Sequence, residues 1–130
     1  MRVRQKYKTS FAMLQLLEQS KDDLVAFRIS GDVSRSDYDV MLPLLQERIK
    51  QHGKIRVYAE VQDVADISLR ALWEDIKFDI KHASNFSKVA LVGDKKWIDW
   101  LTIMAKPFTS ADVKYFDFTQ RQLAWEWINL

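Results

Sequence analysis

Residues 88–101, KVALVGDKKWIDWL, decide the fold because they join a buried strand to a helix. Residues 89–92 form an unbroken apolar run, which is the pattern of a central strand covered on both faces of a sheet. Gly93 and Asp94 then break the run, and the apolar side chains that follow predict a helix over residues 95–106. A strand that leads into a helix in this way indicates an α/β domain.

The chain on either side repeats this alternation of strand and helix. Residues 55–61 alternate as a strand does, and residues 68–83 carry apolar side chains on one helical face, with Ser68 as the N-cap. Beyond the helix of residues 95–106, residues 113–116 predict a last strand. Each helix returns the chain to the same end of the sheet, so these three strands are expected to be parallel.

A terminal helix is predicted to follow the last strand. Thr119 and Gln122 have the spacing of a capping box, in which side chains satisfy free amides at the start of a helix. The apolar face of this helix is expected to comprise Leu123, Ala124, Trp127 and Ile128.

The N-terminal half of the chain predicts a hairpin and one more helix. Apolar runs at residues 11–18 and 24–29 flank the turn formers of residues 20–23, which predicts a β-hairpin. In the helix that follows, Pro43 is expected to cause a kink or a restart, and Gly53 is placed to end it. The whole pattern predicts a mixed sheet of four to five strands, a hairpin followed by parallel strands, with about four helices packed on it.

Composition limits the classes of protein that this chain can represent. Its 130 residues, 48% of them hydrophobic, fit a single domain over residues 1–130, in which residues 1–10 form a basic arm. A net charge of only +2 argues against a dedicated nucleic-acid binder. The absence of cysteine excludes disulfides and thiol chemistry and suits a reducing cytosol. Charges interrupt every apolar stretch before the roughly 20 residues that a membrane span needs, so we expect a cytoplasmic protein.

Four segments carry a resemblance to a known family: HGKIRVYAEV (52–61), ALWEDIKFDIKH (71–82), KVALVGDKKWIDWL (88–101) and AKPF (105–108). In this order they resemble the SpoIIAA-like family of bacterial proteins, which is related to STAS domains. The resemblance implies a four- or five-stranded sheet with helices packed on it. It also implies relatives whose STAS modules bind a partner protein or an apolar or anionic ligand, and it does not imply an enzyme.

The resemblance singles out one serine. Phosphorylated anti-sigma-factor antagonists carry a serine in a motif like DSSG where the third strand gives way to the second helix. The matching stretch here is Asp66-Ile67-Ser68-Leu69, which keeps the acid and the serine but replaces the second position and the glycine. The resemblance therefore implies Asp66 and Ser68 as a candidate phosphoacceptor or docking site, and the alternative is that Ser68 is a helix N-cap and nothing more.

Two lysines predict an anion-binding rim. If Asp94 caps the helix of residues 95–106, Lys95 and Lys96 occupy its first turn, where the helix dipole disfavours each cation by about 0.3 to 1 kcal/mol. Such a departure from a local rule is typical of functional sites, and free helix amides beside two ammonium groups attract anions. The alternative is that the lysines point into water or pair with Asp63 or Asp66.

The helix of residues 95–106 has more apolar surface than one sheet face covers. Trp100 and Ile103 lie on its flank, and Phe78 falls outside the apolar face of the preceding helix. These side chains predict an apolar groove between the two helices, insertion at a membrane surface or docking of another protein chain, unless the terminal helix covers them with Trp125 and Trp127. The predicted groove residues are Trp73, Phe78, Trp97, Trp100, Leu101, Ile103, Met104 and Phe108.

Evidence for catalysis is weak in this sequence. The imidazoles are His52 and His82, neither of them in a catalytic motif, and Asp63 and Asp66 make only two carboxylates where a metal site needs further ligands. We therefore expect no enzyme, no catalytic residue, no metal and no cofactor.

The favoured function is a non-catalytic module that binds an apolar or amphipathic anionic, lipid-like ligand, with peripheral association at the inner membrane face. The alternative is a regulatory protein–protein interaction domain that resembles an anti-sigma-factor antagonist. The expected partners are a lipid-like small molecule or a membrane surface, or a protein, and not nucleic acid. The oligomeric state is left open, a homodimer included.

Overall fold

The computed structural model describes residues 14–17, 20–30, 35–62, 83–94 and 110–130. Short 3-10 turns at Ala83–Asn85 and Phe118–Gln120 precede the fourth strand and the last helix. The strands are β1 (Leu14–Leu16), β2 (Leu24–Ser30), β3 (Ile55–Gln62), β4 (Phe86–Gly93) and β5 (Asp112–Asp117), and the helices are α1 (Arg35–His52) and α2 (Arg121–Ile128).

The five strands form one mixed sheet in chain order, β1-β2-β3-β4-β5. β1 pairs antiparallel with β2, and the four strands from β2 to β5 are parallel. This confirms the predicted hairpin followed by parallel strands. The described residues contain two helices where the sequence predicted about four, because the helices predicted over residues 68–83 and 95–106 lie outside them.

Helix α1 ends as predicted but is not restarted at its proline. Gly53 has a φ of 79°, and its amide donates to the Ile49 carbonyl at 2.8 Å, which is the expected glycine stop. Pro43 lies inside the helix on its exposed side. A carbonyl that loses its amide partner there can be hydrated, so the helix continues through the proline.

The sheet separates two apolar cores. On the α1 side, Val57, Ala59 and Val61 of β3 are buried, and α1 packs Leu45 and Ile49 against them. On the opposite side, the buried residues include Tyr58, Ala90, Val92, Ala124 and Ile128. The unbroken run of residues 89–92 is buried as predicted, but the centre of the sheet is β3 and not β4, so β3 is covered on both faces.

The capping box that precedes the terminal helix lies two residues earlier than predicted. Asp117 and Gln120 form the capping box: an Asp117 carboxylate oxygen accepts from the Thr119 amide at 2.9 Å, and the Gln120 side chain accepts from the Asp117 amide at 3.1 Å. The carboxylate at the end of β5 therefore opens the 3-10 turn before α2. The predicted pair of Thr119 and Gln122 is wrong because a stronger acceptor stands earlier in the chain.

The apolar face of α2 also differs from the prediction. Ala124 and Ile128 are fully buried, whereas Leu123 is 53% exposed. At 100° per residue Leu123 lies roughly 120° from the middle of the buried face. The larger Trp127 occupies the flank on that side, and Leu123 falls beyond it.

Cations from the sheet fix the C-terminal end of α2. Arg56 donates to the Ile128 carbonyl at 2.6 Å and forms an ion pair with Asp23 at 2.7 Å. Lys88 donates to the Trp127 carbonyl at 3.1 Å. Positive charge at a helix C-terminus complements the helix dipole, so these contacts hold α2 along the sheet.

Candidate functional site

A cleft of about 490 Å³ lies between the start of α2 and the sheet, and we call it the α2 cleft. Its volume is within the range of roughly 300 to 1,000 Å³ that is usual for ligand sites. The sheet contributes its floor, and α2 with the turn before it contributes one wall. The residues that line it are Leu17, Arg28, Glu60, Phe118, Thr119, Arg121, Gln122 and Trp125.

The alternation of side chains along the strands explains why charges line this cleft. Arg28 of β2 and Glu60 of β3 are direct partners in the parallel register, and each lies two residues after a residue of the α2-side core. Successive side chains of a strand point to opposite faces, so both face α2. Both stand two residues before the carboxyl ends of their strands, where ligands collect in open α/β sheets.

Glu60 is a buried carboxylate on the floor of the α2 cleft. Its side chain is 3% exposed. The Tyr58 hydroxyl donates to Oε2 at 2.6 Å, and the Arg28 Nε donates to Oε1 at 3.1 Å. A buried charge is costly unless it is paired and hydrogen-bonded, so these two donors make its position tolerable.

Tyr58 connects the carboxylate to α2. Its ring lies 3.6 Å from the Trp125 ring, centroid to centroid, with 14° between the two planes. Burial raises the pKa of the Tyr58 hydroxyl, and the hydrogen bond to Glu60 and the negative charge of Glu60 raise it further. The hydroxyl therefore remains a protonated donor at neutral pH.

Arg121, the first residue of α2, is less tightly engaged than Arg28. Its Nη1 lies 3.8 Å from Glu60 Oε1, which is an ion-pair distance but too long for a hydrogen bond. Its side chain is 49% exposed, compared with 30% for Arg28. Within the described part of the chain the Arg121 side chain donates no hydrogen bond, so its guanidinium is available to an anion in the cleft.

The described residues contain no group of three or more histidine or acidic side chains that could hold a metal ion. The Thr119 hydroxyl, which also lines the cleft, donates to Asp117 at 3.0 Å. The arrangement that remains is a fixed carboxylate between two guanidinium groups, beside aromatic and aliphatic walls. Chemically, it is suited to holding an anion that carries an apolar part.

The site residues predicted from the sequence lie outside the described residues, and their roles stay predictions. His82 also lies outside, whereas His52 is described and is exposed in the last turn of α1, where a cation complements the dipole. The predicted site residues outside the described ranges are the groove residues Trp73, Phe78, Trp97, Trp100, Leu101, Ile103, Met104 and Phe108, the rim lysines Lys95 and Lys96, and the docking pair Asp66 and Ser68.

Sequence reasoning missed the α2 cleft. Residues 55–61 were predicted as an alternating strand, and no role was predicted for Tyr58 or Glu60. The available signal was Glu60 in a strand that joins two parallel neighbours, because such strands are covered on both faces and a charge there needs a partner. Trp125 stacks on Tyr58, and Trp127 lies near Phe116. The alternative that these tryptophans cover Phe78, Trp100 and Ile103 concerns side chains outside the described residues and stays a prediction.

None of the helices in the described ranges is long and apolar enough to cross a membrane.

Comparison with known proteins agrees with this fold. Residues 24–129 match the SpoIIAA-like family. No curated protein matches the sequence. The crystal structure of an uncharacterized protein of the DUF3478 family from Shewanella loihica PV-4, described as having a SpoIIAA-like fold, is 28% identical with a TM-score of 0.60, over 88% of this chain and 93% of that one. The chain belongs to the SpoIIAA-like family.

Proposed function

We propose that this protein is a non-catalytic binding module whose ligand is an amphipathic anion. The observation that carries the proposal is the lining of the α2 cleft, where two arginines face one glutamate beside Leu17, Phe118 and Trp125. The described residues of the lining carry one surplus positive charge, and an apolar wall lies next to them. An anionic group on an apolar body complements both features.

The hydrogen bonds of the cleft favour binding over chemistry. Glu60 accepts from Tyr58 and Arg28 through its two oxygens, and Arg121 lies beside it. A general base must reach the proton it removes, whereas this carboxylate is committed to groups of the protein itself. Its role in the proposal is to hold the two guanidinium groups in place.

The proposal extends to a lipid-like ligand and to peripheral association with the inner membrane face. The apolar part of a lipid would occupy the groove predicted between the helices of residues 68–83 and 95–106. The chain leaves β3 at Gln62 and β4 at Gly93, at the same edge of the sheet as the α2 cleft. The segments that carry the predicted docking pair and the predicted rim lysines therefore start at this edge, which supports one binding region there.

The first experiment is native mass spectrometry of the protein purified from its host, before and after denaturation with organic extraction. A stoichiometric apolar acid that is released on extraction supports the proposal. Thermal shift with decanoate and with decanol, the uncharged control of the same chain length, tests the charge requirement. The proposal predicts stabilisation by decanoate alone. A bare mass together with no stabilisation by either compound would refute it.

A second candidate function is a regulatory protein-interaction domain that resembles an anti-sigma-factor antagonist. The SpoIIAA-like fold supports it, and so do two apolar side chains on the outside of α1, Val40 at 74% and Leu44 at 40% exposure. They are one turn apart, on one patch that a partner could cover. Ser68→Asp is expected to abolish partner capture and to leave decanoate binding unchanged. Equal capture by the Ser68→Asp and Ser68→Ala variants would contradict docking at Ser68.

A further inference from the structure

We infer that Arg121 is the anion-recognition residue of the α2 cleft, and that the cleft selects a singly charged head group over a doubly charged one. The inference rests on the proposed function and names the ligand class and the residue that recognises it. It is carried by the unequal engagement of the two arginines with Glu60.

Arg28 is the structural partner of Glu60. Its Nε donates a direct hydrogen bond at 3.1 Å, and the two residues are register partners on adjacent strands of the sheet. With the Tyr58 hydroxyl at 2.6 Å, the buried carboxylate has a donor on each oxygen. Glu60 is therefore paired without Arg121.

Arg121 is the surplus cation. Its Nη1 lies 3.8 Å from Glu60 Oε1, so the carboxylate attracts the guanidinium without accepting a hydrogen bond from it. About half of the Arg121 side chain is exposed. It lies in the cleft lining between Thr119 and Trp125. A guanidinium presents a planar fork of donors that matches the two oxygens of a carboxylate or of a phosphodiester.

The charge of the lining sets the charge of the ligand. Among the described residues of the lining, two arginines and one glutamate leave one positive charge, so a singly charged head group neutralises this part of the cleft. A phosphate monoester at pH 8 carries close to two negative charges and would leave one of them uncompensated beside Glu60. Like charges at short range in a partly buried site repel, so the dianion is disfavoured.

The experiment is isothermal titration calorimetry of the full chain at pH 8 with three probes. Decanoate is the singly charged carboxylate, dihexanoylphosphatidylglycerol is the singly charged phosphodiester, and decyl phosphate is the dianion. Both single charges are expected to bind at least about tenfold more tightly than the dianion. The ratio of the dissociation constants of the two singly charged probes distinguishes a fatty carboxylate from a lipid head group as the preferred ligand.

Two variants assign the recognition to Arg121. Arg121→Gln is expected to weaken decanoate binding about tenfold or more, because a charged hydrogen-bonding partner is lost. Arg121→Lys keeps the charge without the fork and should fall between the two. The matched control is Lys50→Gln, which removes one positive charge from an exposed position on α1, across the sheet from the cleft, and should change binding less than about twofold.

Glu60→Gln tests the charge rule directly. It keeps the shape of the side chain, raises the net charge of the lining by one, and is expected to shift the preference towards decyl phosphate. Circular dichroism checks that Glu60→Gln is folded. The comparison of the Arg121 variants does not depend on the Glu60→Gln result.

The outcomes separate the inference from the proposed function. Decanoate binding that Arg121→Gln and Lys50→Gln affect equally would overturn the inference and leave the binding module in place. Decyl phosphate that binds as tightly as decanoate would overturn the charge rule. A wild-type protein that binds none of the probes and carries no ligand from its host would overturn both.

Discussion

Removing the Tyr58 hydroxyl tests whether Glu60 is held as the structure indicates. Tyr58→Phe deletes one oxygen and keeps the ring that stacks on Trp125 at 3.6 Å. The deleted group donates to the carboxylate of Glu60 at 2.6 Å in a buried environment. The substitution therefore leaves the packing intact and removes one of the donors that compensate a buried charge.

The expected cost follows from the charge of the acceptor. A hydrogen bond to a charged group contributes about 1.5 to 3 kcal/mol, and a neutral one about 0.5 to 1.5 kcal/mol. Tyr58→Phe should lower the free energy of unfolding by about 2 kcal/mol. The matched control is Tyr115→Phe, whose hydroxyl donates to the Gly93 carbonyl at 2.8 Å in a half-buried position and should cost less.

Urea unfolding followed by tryptophan fluorescence measures both variants against the wild type. A loss below about 0.5 kcal/mol for Tyr58→Phe, or a loss no greater than that of Tyr115→Phe, would refute the reasoning. Either result would mean that Glu60 is satisfied without Tyr58, and that the cleft floor is not organised as described.

Three further predictions follow. Burial raises the pKa of Tyr58 above its ordinary value of 10.0, so the folded state keeps this proton to a higher pH than the unfolded state, and the free energy of unfolding should fall as pH rises above about 10. Tyr58→Phe should flatten this dependence in urea unfolding measured at alkaline pH. An unchanged dependence would contradict the raised pKa. The hydrogen bond from Arg56 lowers the pKa of Asp23, so this pair stabilises the fold above about pH 4, and its contribution is lost on acidification. Asp23→Asn should make the free energy of unfolding depend less on pH in the acid range. Identical midpoints of acid unfolding in the variant and the wild type would contradict the pairing. Gly53 has a φ of 79° and open space around the position of a Cβ, so Gly53→Ala should lower the free energy of unfolding by about 1 kcal/mol through backbone strain alone. Calorimetry that finds no loss of stability would contradict the glycine stop.

The sequence predicted those parts of the fold that depend on local pattern. The hairpin, the parallel strands and the end of α1 at Gly53 follow from periodicity and turn residues. The capping box before α2 was misplaced because Asp117 and Thr119 are both good N-cap residues, and their spacing to Gln120 and Gln122 is the same. Only the three-dimensional end of β5 decides between them.

The α2 cleft could not be predicted in the same way. Arg56, Tyr58 and Glu60 occur at alternate positions of β3, and such a pattern is typical of a strand with one face in water. What buries Glu60 is the central position of β3 and the placement of α2, which joins the strand through the stacking of Trp125. Both are long-range properties of the chain.

A carboxylate is a costly choice for this position if stability alone is considered. Replacing a whole buried ion pair with apolar side chains of similar volume is often neutral or stabilising, whereas removing one partner is strongly destabilising. The network of Tyr58, Glu60 and Arg28 is therefore not explained by the free energy of folding alone. It also fixes the position of the Arg28 guanidinium at the cleft. Side chains fixed before a ligand arrives lose less conformational freedom on binding, which raises affinity without adding a contact. In the proposed function, Glu60 is therefore the residue that fixes Arg28 by a hydrogen bond and attracts the Arg121 guanidinium towards the cleft.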